Sequence, residues 1–229
     1  MQTLAEKIIH FYKTIDFQGE LPEKVRLLNP FRDNPDILPI FEAFYTKFYG
    51  DHQPRKLILG INPGRLGAGQ TGIPFTDSDR LENECGIPIP VLKTRELSAV
   101  FVYEVIAAYG GVKAFYDQYY ISSVCPLGFT TQNKRGNWVN YNYYDSAELT
   151  EAVYDFIKTS LLAQIDFGLE TDKVFCLGTG KNFKFLKAFN EKEKLFGEIV
   201  PLPHPRYVMQ YKTKTKDTYV EEYVEALKG

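Results

Sequence analysis

Asn62 and His204 are the two side chains of this sequence best placed to do chemistry. Asn62 follows the apolar run Leu57-Ile58-Leu59-Gly60-Ile61 and is held by Pro63-Gly64, so it reads as a rigid amide at the end of a buried strand. Strand ends are where open α/β sheets bind their ligands. His204 lies between Pro203 and Pro205 just past another strand-like run, and the prolines restrict its backbone. A half-exposed loop histidine would look the same in sequence. The pairing of Pro-His-Pro-Arg with a second strand end that offers Asn62 favours a functional role. A fixed amide at a strand end could help to hold a flat, polar ligand.

The chain after Asn62 is a long glycine-rich loop, Gly64-Arg65-Leu66-Gly67-Ala68-Gly69-Gln70-Thr71-Gly72-Ile73-Pro74-Phe75. It contains a formal GxGxxG at Gly67, Gly69 and Gly72. A dinucleotide site needs that pattern directly between a strand and a helix. Here Pro63 and further residues intervene, and Pro74 stands where a helix should begin, so a Rossmann cofactor site is not expected. No Gly-Lys-Ser/Thr ends the loop, which excludes a Walker A site. The loop closes on Phe75, a ring that is either core or a stacking surface for a flat ligand. A third strand end, Ser122-Ser123-Val124-Cys125-Pro126-Leu127, offers hydroxyls that either satisfy nearby backbone or read a ligand. No carboxylate pair suggests glycosidase-type acid/base work, no serine sits on a nucleophile elbow, and no His/Glu spacing suggests a metal. We expect no cofactor and no metal. His10 and His52, on a helix and a loop, are expected to be inert.

The elements that must position these groups alternate in type. Helical spacing covers residues 2–15 and 37–49, and a polar, proline-containing stretch separates them. The first strand is predicted over Lys56–Ile61. A proline-rich passage, Cys85 to Pro90, precedes a helix over Ser98–Tyr109 that ends at Gly110-Gly111. Further strands are predicted at Tyr119–Val124, Lys173–Leu177 and Glu198–Leu202, and residues 128–143 read as a surface excursion. Helices are predicted over Ser146–Ile165, Lys181–Phe189 and Asp217–Leu227. This alternation predicts an α/β fold, a three-layer α/β/α arrangement with a central four-stranded parallel sheet. Neither repeat nor linker interrupts it, so residues 1–229 are expected to form a single domain, with a helical part over 1–50 packed on it.

Composition narrows the class. A chain of 229 residues with 44% hydrophobic and 24% charged residues is an ordinary globular protein with a substantial core. Its 16 tyrosines and 17 phenylalanines are mostly core-filling. The formal net charge of −2 gives no global sign of a nucleic-acid partner, so a DNA-binding reading needs a local basic face. Lys181, Lys184 and Lys187, and then Lys212, Lys214 and Lys216, flank the strand ends and are candidates for holding phosphates; such runs are otherwise solvated faces. Cys85, Cys125 and Cys176 are scattered, without a CxxC pair, which fits a reducing, cytoplasmic setting. The N-terminal residues carry Glu6, Lys7 and His10 and do not resemble a signal peptide, and no apolar run approaches membrane-spanning length, so no membrane partner is expected.

Gly60-Ile61-Asn62-Pro63-Gly64 through Gly69-Gln70-Thr71-Gly72-Ile73-Pro74-Phe75 resembles the first motif of the uracil-DNA glycosylase superfamily, closest to its single-strand-selective monofunctional (SMUG-like) family. His204-Pro205-Arg206 resembles the second motif, and Cys125-Pro126-Leu127 matches a stretch between them. The first motif is specific and the other two are short. The resemblance covers the sheet and its loops, and the first fifty or so residues carry none of it.

The resemblance implies a monofunctional enzyme of base excision repair that hydrolyses the N-glycosidic bond of uracil and related deaminated or 5-substituted bases in DNA, leaving an abasic site. Asn62 would position the attacking water, and His204 would hydrogen-bond uracil O2. Ile61, Gly64, Phe75 and Ser123 would contact the flipped base, with Phe75 stacking on it. Pro205, Arg206, Tyr207 and Met209 would form a loop that enters the duplex. The partner would be DNA carrying damaged bases, single- or double-stranded, and the enzyme a monomer. Selective uracil enzymes carry a tyrosine at the position of Gly64, so glycine implies room beside C5. Close relatives carry asparagine at the position of Ser123, and its shorter hydroxyl implies weaker uracil selectivity or acceptance of deaminated purines. Relatives also have one more residue in the second motif, where Pro205 here runs straight into Arg206. The rival reading is a non-catalytic nucleobase or nucleic-acid-binding module that keeps the pocket without turnover. A nucleotide-binding protein using the glycine loop is a third.

Overall fold

The computed structural model describes residues 2–89 and 95–229; Pro90 of the proline-rich passage lies outside the described residues. Four strands form a parallel sheet in the order β3-β2-β6-β7: β2 is Lys56–Gly60, β3 Tyr119–Ser123, β6 Glu170–Leu177 and β7 Glu198–Leu202. The predicted four-stranded parallel sheet is therefore present, each strand within a few residues of its expected limits. The central segments, residues 57–59 and 174–177, are apolar runs because helices cover both faces of the sheet.

Alternation along β3 shows what each face meets. Tyr120 packs edge-on against Tyr45 and Tyr49 of the helix Leu38–Tyr49, and the Ser122 hydroxyl meets Tyr12 of the helix Leu4–Thr14 and Gln164 of the helix Tyr154–Ile165. Tyr119 faces the other way, against Tyr109 of the helix Leu97–Tyr109, and its hydroxyl donates to the Leu227 carbonyl in the helix Lys216–Lys228. Ser122 is thus a core group, whereas Ser123, pointing to the opposite face at the strand's end, is left for the site. The aromatic surplus fills this core with tilted and edge-to-face pairs. Phe41, Phe44, Phe115 and Phe175 are all fully enclosed. Buried Arg55 anchors the start of β2 by donating to the Tyr116 and Gln53 carbonyls and to Asp51.

Two stretches differ from expectation. Residues read as an excursion form a hairpin, β4 (Gly128–Gln132) and β5 (Trp138–Tyr141), and β1 (Val25–Leu28) from the polar N-terminal stretch pairs with it to give an antiparallel sheet β1-β4-β5. Its inner face carries Leu27, Phe129 and Tyr141 against the core. Its outer face begins under the glycine loop, where Leu28 stands opposite Gly128. A side chain at Gly128 would collide with the Pro63 carbonyl. The helix predicted over Ser146–Ile165 is interrupted at Val153, giving Ala147–Ala152 and Tyr154–Ile165.

Candidate functional site

The C-terminal ends of β2, β3 and β7 open into one cleft of about 760 Å³, lined by Ile61, Asn62, Gly64, Phe75, Ser123 and His204. Parallel pairing brings them together. Gly60 is in register with Ser123, and the pairing runs on as Cys125 N–H donates to the Ile61 carbonyl at 3.1 Å. On the other side the Gly178 N–H donates to the Leu202 carbonyl at 2.7 Å, which brings the end of β6 beside the turn that carries His204.

Asn62 is clamped by the hairpin. Its Oδ1 accepts the Tyr143 backbone N–H at 3.1 Å, and its Nδ2 donates to the Pro63 and Tyr141 carbonyls at 3.3 and 3.4 Å. These partners fix which amide atom is which. Oδ1 keeps a second lone pair for another donor. Tyr143 is itself pinned, its hydroxyl donating at 2.7 Å to Oδ1 of buried Asn182, whose Nδ2 bonds the Leu177 carbonyl at 3.0 Å and reaches that of Gly60 at 3.4 Å.

Phe75 has a φ of 52°, a left-handed backbone that costs a bulky residue of order 1–3 kcal/mol and clusters at ligand sites. The strain turns its ring back over the strand end, where a side chain at Gly60 would press on it at 3.3 Å. The ring lies 5.9 Å from the His204 imidazole, centroid to centroid. His204 is the cap of a helix, Pro205–Tyr211, whose first residue is a proline as helix N-termini favour. The Arg206 N–H donates to His204 Nδ1 at 3.1 Å. A ring nitrogen that accepts carries no proton, so the neutral ring bears its proton on Nε2. Burial, then the Arg206 charge, pushes this histidine down to about 4. At neutral pH His204 is an uncharged donor.

Opposite, Glu96 forms part of the cleft wall against Gly67, where any side chain would collide with its carboxyl group. Its backbone N–H donates to buried Asp77 at 2.8 Å, while its own Oε2 is buried without a hydrogen-bond partner. Burial, then Asp77, pushes this carboxyl up to about 7 against the pull of Arg206. Asn140 on β5 completes the rim. Its Oδ1 accepts the Arg65 N–H at 3.0 Å, and its Nδ2 lies 3.1 Å from where a Gly64 side chain would begin.

A rigid amide, a neutral donor and a strained ring around a cleft suit a flat, polar ligand. The family model described as the uracil DNA glycosylase superfamily matches residues 47–228. The chain belongs to that superfamily. Membership makes it a hydrolase of the DNA glycosylase type. Wild-type SMUG2 of Pedobacter heparinus is 52% identical, with a TM-score of 0.97, over 100% of this chain and 98% of that one. No curated protein matches the chain. The shared architecture with SMUG2 extends through the N-terminal helices, which the superfamily match does not include.

The residues singled out for this glycosylase are mostly assembled. Ile61, Asn62, Gly64, Phe75, Ser123, His204 and Arg206 line the cleft. Pro205, Tyr207 and Met209 lie beside it on a helix rather than a loop: Pro205 is buried, Met209 packs on the core, and Tyr207 is exposed. The Asn140 amide is the side chain that a substituent on Gly64 would meet. Lys216 is paired with Glu104 at 2.5 Å, whereas Lys212 and Lys214 have no carboxylate within salt-bridge distance among the described residues. The GxGxxG glycines fold into a short helical turn, Ala68–Thr71, with Gly67 and Gly69 N–H groups on the Gly64 carbonyl. Tyr143, Asn182, Asn140 and Glu96 escaped sequence reasoning. The first three act through pairings distant in sequence, and Glu96 shows no local motif. Among the described residues no helix is long and apolar enough to cross a membrane.

Proposed function

We propose that this protein hydrolyses the N-glycosidic bond of uracil and related deaminated or 5-substituted bases in DNA, releasing the base and leaving an abasic site. The observation that carries this reading is the convergence of Asn62, Phe75 and His204 on one cleft, with the amide clamped and the imidazole neutral. A base must leave the stack to enter, at a cost of a few kcal/mol. Stacking on Phe75 returns about 1–3 kcal/mol.

As the glycosidic bond lengthens, the sugar gains oxocarbenium character and the base takes up negative charge. A neutral His204 Nε2–H facing that charge stabilises the transition state without the cost of burying a cation first. A preorganised donor of this kind contributes roughly 3–4 kcal/mol. Asn62 Oδ1, with one lone pair engaged by Tyr143, uses the other to hold the water that attacks the sugar C1′. The amide does not remove the proton, so water reacts with an already developed cation. Once bonded to C1′ the water gives up a proton to solvent, and the departing base anion takes one from solvent. Among the described residues no lysine lines the cleft to form a Schiff base, which supports a monofunctional reaction without strand cleavage. Three buried, unpaired cysteines fit a cytoplasmic enzyme, and we take it to act as a monomer.

The test is a uracil-containing oligonucleotide treated with protein and then with alkali. Strand breaks are expected with wild type and are expected to fall at least about 100-fold in Asn62→Ala and His204→Ala. Binding without cleavage by wild type would show a nucleobase-binding module instead.

A further inference from the structure

The outer face of the antiparallel sheet β1-β4-β5 carries a set of groups that the reaction does not use. Arg26, Thr130 and Asn140 are in register across the three strands, so they share this face, and Trp138 shares it two residues before Asn140. The Arg26 guanidinium carbon lies over the Trp138 ring, 3.7 Å from its centroid. Past them the hairpin tip exposes Lys134 and Arg135, and Asn133 Oδ1 holds the tip by accepting the Arg135 and Asn137 N–H groups.

Three features point to a polyanion rather than to water. First, Arg26, Arg65, Lys134 and Arg135 have no carboxylate within salt-bridge distance among the described residues, so their charges are not neutralised locally. Second, residues 128–144 contain no Asp or Glu in a chain that has 29 of them. Third, the face is continuous with the site. Asn140 lines the cleft and holds the Arg65 backbone. Strands spaced about 4.8 Å apart place Arg26 roughly 10 Å from Asn140. A guanidinium held against an indole offers a flat, weakly hydrated cation to a phosphate or a base.

We propose that this face is a track for the DNA strand that carries the target base, with Arg26, Lys134 and Arg135 on flanking phosphates and the Arg26–Trp138 stack beneath a flanking nucleotide. The proposal rests on the glycosylase reading for the identity of the strand, but its test is separate. Affinity of a fluorescent, uracil-containing single-stranded oligonucleotide is measured against salt for wild type, for Arg26→Glu and for Lys134→Glu/Arg135→Glu. Each substitution is at an exposed position, and thermal melts confirm folding. Lys113→Glu is the control, on the short helix just before the start of β3 and so at the opposite end of the sheet from the cleft.

Each track variant should weaken binding about tenfold at low salt and reduce the slope of log affinity on log salt by about 0.7 for every phosphate of the single strand that is no longer neutralised. Lys113→Glu should bind as wild type does. With the target nucleotide alone, which has no flanking phosphates, the difference between Arg26→Glu and wild type should vanish. Wild-type affinity and salt slope in both track variants would overturn the proposal, as would an equal loss in Lys113→Glu. Absence of uracil release by wild type would overturn the glycosylase reading alone, because the affinity comparison does not depend on turnover.

Discussion

Asn62 Oδ1 and the Tyr143 backbone N–H, 3.1 Å apart, join the end of a parallel strand to the segment that follows an antiparallel hairpin. The amide therefore takes its orientation from a part of the chain 81 residues away. Tyr143 is held in turn by Asn182, which bridges the ends of β2 and β6. The water-orienting group is only as rigid as this buried chain of hydrogen bonds.

Tyr143→Phe removes the hydroxyl and leaves Asn182 Oδ1 without its donor. A buried group left unsatisfied costs about 1–3 kcal/mol, so the melting temperature should fall. The 141–143 segment should also loosen, and kcat should drop about tenfold or more, because small misplacements of a positioning group are costly. KM should change little, since Phe75 and His204 are untouched. Equal kcat in Tyr143→Phe and wild type would show that the network stabilises the fold without positioning the amide.

The parts of this machinery that were legible in the sequence are those built from contiguous residues. Buried strands announce themselves as apolar runs, and Asn62-Pro63-Gly64 and Pro203-His204-Pro205 mark chain that must stop and turn. The hairpin was not legible. In β4 and β5 only one face packs on the core and the outer face is polar apart from Trp138, so Phe129, Thr130, Thr131 and Gln132 look like loop. β1 is four residues long with an arginine in it, and its strand character comes from pairing with β4. The helix at Pro205 did carry a signal, proline in the first helical position after a side chain able to cap. Clamps such as Tyr143 to Asn62 depend on tertiary pairing that no local pattern encodes.

Gly64 faces an occupied space. A methyl group there would begin 3.1 Å from Asn140 Nδ2, a tight approach to an exposed side chain that can move. Gly64→Ala should therefore lower activity on 5-hydroxymethyluracil more than on uracil, and Asn140→Ala should restore part of the loss. Additive effects of the two changes, read as kcat/KM on both substrates, would show that this approach does not govern the pocket.

Ser123 is buried at the end of β3 with its side of the strand toward the cleft. A hydroxyl can donate or accept, whereas an asparagine would offer a donor and an acceptor in fixed positions. Ser123→Asn should raise the preference for uracil over xanthine and hypoxanthine. The relevant measurement is the ratio of kcat/KM values across oligonucleotides carrying each base. An unchanged ratio would remove Ser123 from base selection.

His204 should not impose an acid limb on the rate near its ordinary value of 6.5, because burial and Arg206 hold it down to about 4. The neutral donor persists as pH falls through 6 and 5. Removing the nearby charge in Arg206→Ala should raise the value, so any acid limb should move upward. The fold disfavours the charged ring, so the stability that His204 contributes is present above 6.5 and lost as pH falls from there toward 4. A wild-type limb with its midpoint near 6.5, measured under single-turnover conditions, would contradict a buried neutral imidazole.

Glu96 should act in the opposite sense. Its carboxyl has an ordinary value of 4.5 and is pushed up to about 7 in the fold, first by burial and then by Asp77. Between those values the folded chain holds a proton that the unfolded chain has released, so stability declines as pH rises through the window. Above about 7 the folded protein carries the ionised carboxylate against the Gly67 wall with Oε2 unpartnered, and the full penalty is present. Glu96→Gln keeps the shape and removes the titration. The melting temperature of the variant relative to wild type should therefore rise from about pH 5 to about pH 8. A difference that stays constant across that range would mean that Glu96 is ionised throughout, with Arg206 outweighing burial.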